Sequence, residues 1–408
     1  MYFQRRQELL LKNLLTRSLE GVRVLDLSRV LAGPMAAQTL ADLGAEVIKV
    51  EHPHQLDETR EWGPPHWQKH SAYYLSCNRG KKAITLDLKS PEGRSALRDL
   101  IRVSHVLIEN FRTSSLASLG LLPADLHAIN PQLVICSVSG FGRTGPLSDL
   151  PGYDFIIQGM SGMMAMNGPK ESPPSKFGVA IADLITGQNV VIAALSGLRY
   201  VETHGLGLHA DIALADSAVA AMANVVQSFL VTGKEPKRQG NEHLQIVPYQ
   251  TFKAADGWII VAVGNDRQWQ KFCQAIAHKD LALDQRFLTN DLRVENRVEL
   301  TGILAGIFSG EDATIWLTKL QAAQIPSGRI QGFEELFASE LAKEKHYRVT
   351  CKDSAGNQVD LMASPLVGKD ISKQFPPLPG EHTDEILKEV VGYSAEKIAN
   401  LRKVGAIK

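Results

Sequence analysis

Leu133-Val134-Ile135-Cys136-Ser137-Val138 runs straight into Ser139-Gly140-Phe141-Gly142-Arg143-Thr144-Gly145-Pro146, then Pro151-Gly152-Tyr153-Asp154-Phe155 and Gly159-Met160-Ser161-Gly162-Met163-Met164. The first six residues are almost wholly apolar and alternate poorly, which predicts a strand covered on both faces, as in a parallel sheet. In open parallel sheets ligands bind beyond the C-terminal ends of strands. The loop after Val138 is therefore a candidate site. Its glycines permit backbone shapes and close ligand approach that other residues resist. Asp154 is the acid they crowd around. A carboxylate at a loop-to-helix junction lies near helix N–H groups, which favours its charged form, and a charged carboxylate can be a nucleophile. The spacing alone reads equally as a solvated loop aspartate or a helix N-cap.

Upstream, Val22 to Leu27 predicts a strand, Met35 to Leu43 a helix ended by Gly44, and Ala45 to Val50 a second strand. Strand–helix–strand order predicts a parallel αβ unit. The intervening turn lacks the dinucleotide glycine fingerprint, so this sheet does not imply NAD. Pro91 to Leu100 predicts a helix with proline near its start, and Val103 to Ile108 a strand that delivers Glu109-Asn110-Phe111-Arg112. Between them, Tyr73-Tyr74-Leu75-Ser76-Cys77-Asn78-Arg79-Gly80-Lys81-Lys82 joins aromatic and basic residues. Alone, such a basic run also reads as a solvated turn.

The chain has 408 residues, with Lys plus Arg equal to Asp plus Glu at 44 each, and 44% hydrophobic residues. That length predicts two domains with a sizeable core. The balanced charge gives nucleic-acid binding no whole-chain electrostatic support. Cys77, Cys136, Cys273 and Cys351 have neither zinc-site spacing nor disulfide-rich density, so no metal site is expected and a reducing compartment fits. No run of eighteen apolar residues without charge predicts a membrane span. The first twenty residues set Arg5, Arg6, Lys12 and Arg17 among leucines. They read either as a mitochondrial presequence or as an ordinary first helix. The expected location is the mitochondrial matrix for a eukaryotic chain with a presequence, and the cytoplasm otherwise.

From about Gly21 to Lys408 the chain resembles the class III CoA-transferases, and within them the succinate–hydroxymethylglutarate branch. The Tyr153-Asp154 pair in its glycine-rich setting, the Arg60 to Pro65 run, the Tyr73 to Lys82 block and Ile246-Val247-Pro248-Tyr249-Gln250 carry the resemblance. It implies a Rossmann-like open parallel sheet in a large domain, a smaller α+β domain and an interlocked, ring-like homodimer. It implies that Asp154 attacks an acyl-CoA, forms a mixed anhydride and then carries CoA as a thioester. CoA is thus expected as substrate and product, with no tightly bound cofactor, and the acids are expected to be succinyl-CoA as donor and glutarate or a similar dicarboxylate as acceptor. Arg29, Arg79, Lys81, Lys82, Asn110 and Phe111 are expected along CoA, and Arg29, Tyr153 and His243 near the acyl group. Ser118 and Ser139 depart from basic residues found in several relatives. The alternatives are an α-methylacyl-CoA racemase or a noncatalytic CoA-binding protein. The racemases use a His-Asp pair where this chain has Tyr153-Asp154, and a second acid where it has Asp183. Asp183 is therefore read as a cap or orienting acid.

The rest of the chain is read as a large domain over 1–204, a linker helix within 205–235, a small domain over 236–335 and a C-terminal return to the large domain over 336–408. Leu214 to Leu230 predicts one long helix. Asp256-Gly257 predicts a hairpin between Tyr249–Phe252 and Trp258–Val263. Gln268 to Ala277 predicts an amphipathic helix burying Trp269 and Phe272.

Overall fold

A computed structural model describes residues 14–368 and 370–408. The presequence reading falls largely on 1–13 and lies outside the described residues. The chain divides into two units, the first formed by Met1–Met163, Phe177–Leu230 and Ala342–Lys408, the second by Met164–Lys176 and Val231–Leu341. The segment Met164–Lys176 thus joins the second unit, away from its sequence neighbours. No composition change marks that excursion.

The first unit is built on a six-stranded sheet. Its strands are β1 (Arg23–Asp26), β2 (Glu46–Glu51), β5 (Lys81–Thr85), β6 (Val106–Glu109), β7 (Val134–Ser139) and β8 (His209–Ala213); β3 (His66–Trp67) and β4 (His70–Ser71) form a separate small hairpin. All neighbours are parallel, in the order β5-β2-β1-β6-β7-β8. The chain leaves β1 toward one edge and β6 toward the other, so β1 and β6 flank the point where the winding reverses. Strands β1, β2, β5, β6 and β7 are buried nearly throughout because helices cover both faces, while the edge strand β8 is partly exposed. Leu25, Ile48, Leu107 and Ile135 have almost no exposure, and each contributes about 1.5–3 kcal/mol by leaving water.

Helix Ile181–His204 lies against β7 and helix Ala32–Asp42. A side chain at Gly197 would meet Val134 at 2.4 Å, so glycine is what lets the helix approach β7 this closely. By length and composition alone this helix could cross a membrane; here Asp183 occupies its first turn and one face is buried in the fold. Beyond β8 the expected long helix is two, Leu214–Ala221 and Ala223–Thr232, bent by 77°.

The outer side of β5 is closed by the end of the chain. His382 N–H donates to Ala83 O at 2.9 Å, and Ala83 N–H donates back to His382 Nδ1 at 3.2 Å. Thr85 N–H donates to Thr383 Oγ1, and Lys408 N–H to Thr85 Oγ1. Asp87 N–H donates to Ala406 O at 2.8 Å.

The second unit contains the antiparallel sheet β11-β10-β9, of β9 (Tyr249–Ala254), β10 (Gly257–Ala262) and β11 (Ser327–Arg329). The Asp256-Gly257 turn joins β9 to β10 as the sequence predicts. Helix Asp266–Ala275 places Trp269, Phe272 and Cys273 in this unit's core. A last hairpin, β12 (Arg348–Lys352) with β13 (Gln358–Met362), belongs to the first unit.

Candidate active site

The crevice opens where the winding reverses. After β1, Arg29 N–H donates to Asn110 Oδ1 at 3.0 Å, and Asn110 Nδ2 donates to Arg29 O at 2.8 Å. This reciprocal pair ties together the loops that leave β1 and β6. Val30, next in line, has φ 73, a strained value for a β-branched residue. Its N–H reaches Asp57 Oδ1 at 3.4 Å, and its carbonyl faces the Cys77 thiol. A cleft of about 410 Å³ lies above, lined by Arg29, Asn110, Phe111, Tyr153, Asp183 and Arg143 among others. Glu58 on its wall accepts from both Arg29, at 3.3 Å, and the Tyr153 hydroxyl, at 3.4 Å. A second cavity of about 170 Å³ shares Arg29 and Phe111 with the first and adds Leu27, Leu86, Leu88, His52 and Lys89.

Four of the residues expected at the ligand, Arg29, Asn110, Phe111 and Tyr153, therefore converge in one cleft. Others do not. Arg79 is buried and makes two bonds to the Asp42 carboxylate, at 2.7 and 3.1 Å. Lys81 is wholly buried, with its ammonium on Asp26 Oδ2, Pro34 O and Asn78 Oδ1 at 2.8–2.9 Å. Neither is open to a phosphate, because each is buried and already meets the need of a buried acid for a counter-charge. Lys82, on the opposite face of β5, bridges Glu46 and Glu385. His243 belongs to the second unit, where its Nδ1 accepts the Gln245 N–H and its ring leans on Tyr249.

The two acids also differ from expectation. Asp154 opens helix Asp154–Met160, but it does not line the cleft. Its Oδ1 accepts the Ala182 N–H at 2.8 Å, and its Oδ2 accepts Gln158 Nε2 at 2.7 Å. It caps the first turn of helix Ile181–His204. Asp183, one residue further along that turn, lines the cleft with 9% exposure. Burial and the neighbouring Asp154 charge push its carboxyl up to about 7, against a backbone hydrogen bond from Ala32. The visible signal was its place in the first turn of the longest helix among the described residues. The glycines around Asp154 masked it.

Those glycines serve loop closure. A side chain on Gly152 would meet Gly140 Cα at 2.3 Å, and one on Gly140 would meet Gly152 Cα at 2.5 Å. The chain thus returns onto the end of β7 backbone to backbone. Arg143, between them, locks the same place. Its guanidinium donates to Glu109 Oε1 at 2.7 Å and Val138 O at 3.2 Å, and also to Phe111 O, while its N–H donates to Asp211 at 2.7 Å. One residue joins the ends of β6, β7 and β8. Gly152→Ala should therefore displace backbone, lowering stability by about 1–3 kcal/mol and cutting turnover more than tenfold. Thermal melts and steady-state rates check this; an unchanged melting point and rate would show that the contact is dispensable.

Residues 19–383 match the family model described as CoA-transferase family III. The chain belongs to CoA-transferase family III. The family member is 40% identical to a succinate–glutarate CoA-transferase of Agrobacterium fabrum, over 91% of this chain and 95% of that protein. It is 39% identical to the human succinyl-CoA:glutarate CoA-transferase, over 96% of this chain and 90% of that one. A crystal structure of a CAIB/BAIF family protein from Brucella suis superposes with TM-score 0.79 at 41% identity, covering 91% of this chain and 99% of that chain. This family III enzyme is a CoA-transferase of mixed α/β fold on a parallel sheet.

Proposed function

We propose that the protein moves CoA from succinyl-CoA to a short dicarboxylic acid such as glutarate, with Asp183 as the covalent carrier. The observation that carries this reading is Asp183 itself, a nearly buried carboxylate lining the cleft at a helix N-terminus. Both oxygens of Asp154 already hold N–H partners, whereas the raised affinity of Asp183 for a proton makes its anion the more basic nucleophile. The names of the relatives support the choice of acids.

An Asp183 oxygen attacks the thioester carbonyl, the C–S bond breaks, and CoA leaves as thiolate from a mixed anhydride. The thiolate then attacks the Asp183 carboxyl carbon and expels the donor as a carboxylate. The acceptor carboxylate attacks the resulting aspartyl thioester. The thiolate released in that step attacks the acceptor's acyl carbon and returns the free Asp183 carboxylate. Each step exchanges one acyl bond for another, so thioester energy is kept. N–H groups of the first helical turn favour the negative charge that builds up beside Asp183. Arg29, half exposed and paired with Glu58, is the cation suited to the distal carboxylate of a dicarboxylic acid. The large cleft suits the pantetheine arm. The smaller cavity, where Leu27, Leu86, Leu88 and Phe111 face Lys89 and His52 and the acids Glu51 and Asp57 also line the wall, suits the adenine nucleotide.

Phe155, Ile156, Met160, Ile192 and Leu195 of the first unit are exposed. We read them as covered by a second copy of the chain. The functional test is transfer from succinyl-CoA to labelled glutarate, with malonate, oxalate, carnitine and monocarboxylates as competitors. Glutarate and similar dicarboxylates are expected to lead. Preference for carnitine or a monocarboxylate would remove the dicarboxylate assignment. Deuterium exchange beside a branched acyl thioester without transfer would replace it with racemase chemistry.

A further inference from the structure

Gln158 is wholly buried one turn beyond Asp154 and has been given no role so far. Its Oε1 accepts the Phe177 N–H at 2.9 Å, and its Nε2 donates to Asp154 Oδ2 at 2.7 Å and weakly to Val179 O at 3.4 Å. The Phe177 N–H can only donate, so it fixes which end of the amide faces Asp154. Asp154 Oδ1 in turn accepts from Ala182, the residue before Asp183. A continuous chain, Phe177–Gln158–Asp154–Ala182, thus ends in the helical turn that carries Asp183.

We propose that Gln158 and Asp154 form a positioning pair for Asp183: they pin its helical turn and hold one negative charge beside it. The proposal rests on the reading of Asp183 as the reacting carboxylate. A negative neighbour makes the Asp183 anion harder to form and more reactive once formed, so the pair sets the pH range in which the enzyme works. The groups facing Asp183 from other elements are few. Tyr73, on helix Ala72–Cys77, has its phenol pushed above the ordinary value by burial and by Asp183, Cys77, Asp154 and Asp57. Helix Ala32–Asp42 contributes the Ala32 N–H. On the cleft wall, Arg29 pairs with Glu58 and Arg143 with Glu109, and Arg112 and Asp149 add one charge of each sign.

The geometry supplies a swap test. Asp154→Asn alone sets two amide NH₂ groups against each other. Gln158→Glu alone sets two carboxylates against each other. Together, Asp154→Asn with Gln158→Glu restores every strong bond. Asn accepts from Ala182 and donates to Glu, Glu accepts from Phe177, and the charge has moved one side chain away from Asp183.

The experiment records kcat/KM from pH 5 to 9 for the wild type, both single variants and the double variant. Hydroxylamine trapping of the Asp183 peptide is measured in parallel. The wild-type rate should rise with pH through a midpoint near 7. At pH 8 the Asp154→Asn variant should fall at least tenfold below wild type, and the double variant should recover at least tenfold over it. The midpoint of the double variant should lie below that of the wild type. A double variant no more active than Asp154→Asn, or one whose midpoint stays at the wild-type value, overturns the positioning role while adduct formation on Asp183 continues. Absence of any Asp183 adduct in the wild type overturns the reading beneath it as well.

Discussion

Asp183→Asn is expected to lower CoA exchange by about 10⁴-fold or more, because the amide cannot form the anhydride that carries the acyl group. The fold should survive and gain stability. The Asp183 carboxyl is raised from 3.8 to about 7 by burial and by Asp154, so the folded protein holds a proton there that the unfolded chain has released. That group's contribution to stability is therefore lost progressively as pH rises from about 4 to about 7. Removing it should raise stability at pH 8 by up to about 4 kcal/mol, taking 1.36 kcal/mol per pKa unit. Near pH 4 the gain should vanish. Thermal melts at the two pH values check the sign, and loss of activity with a higher melting point at pH 8 separates lost chemistry from unfolding. Hydroxylamine treatment after succinyl-CoA should mark the wild-type peptide that holds Asp183. A mark on the Asp154 peptide instead, or near-native exchange in Asp183→Asn, would return the nucleophile to Asp154.

Lys81→Met is expected to destabilise the protein by about 3–5 kcal/mol, the range for removing one partner of a buried ion pair. Lys81 and Asp26 are both wholly buried, and Asn78 Oδ1 and Pro34 O depend on the same ammonium. Burial opposes charge on Asp26, but Lys81 and Lys49 overcome it and hold its carboxyl below the ordinary range. Lys49 would remain after the substitution, bonded to Asp57 and Ser28 O. Denaturant unfolding measures the loss. A phosphate-binding lysine would behave otherwise: its loss would raise the KM for acyl-CoA and make that KM less sensitive to salt, while the melting point stayed in place.

Parts of this architecture were open to reading in advance. β7 and β6 announce themselves because a strand covered on both faces must be apolar at every position, not every second one. The hairpin at Asp256-Gly257 is equally plain, since its turn chemistry is local. The break at Met222 is not: Ala221-Met222-Ala223 contains no helix breaker, yet the two helices meet there at a bend of 77°. Arg79 and Lys81 show the same limit for the site. A basic run looks alike whether its charges meet a ligand or an acid from a distant part of the chain; Lys81 finds Asp26 from 55 residues away. Of the two acids, Asp154 stood out because glycines crowd it, yet their tight contact serves the backbone. Which acid faces the cleft is a tertiary matter: Asp154 is turned to Gln158 and Ala182, and Asp183 lines the cleft.

The closure of β5 by residues 382–408 bears on how the protein is made. The sheet's outer strand is synthesised early, but the groups that bond to it come about 300 residues later in the chain. Until those residues emerge, that strand presents unpaired N–H and C=O groups, the feature that lets one chain pair with another. The second unit's hydrophobic cluster, by contrast, lies within residues 247–325, so it can fold while the ribosome is still working. A ribosome-bound chain therefore carries a finished second unit beside an open first one. A chain cut before His382 would leave exposed to its neighbours the sheet edge that His382 and Thr383 cover here.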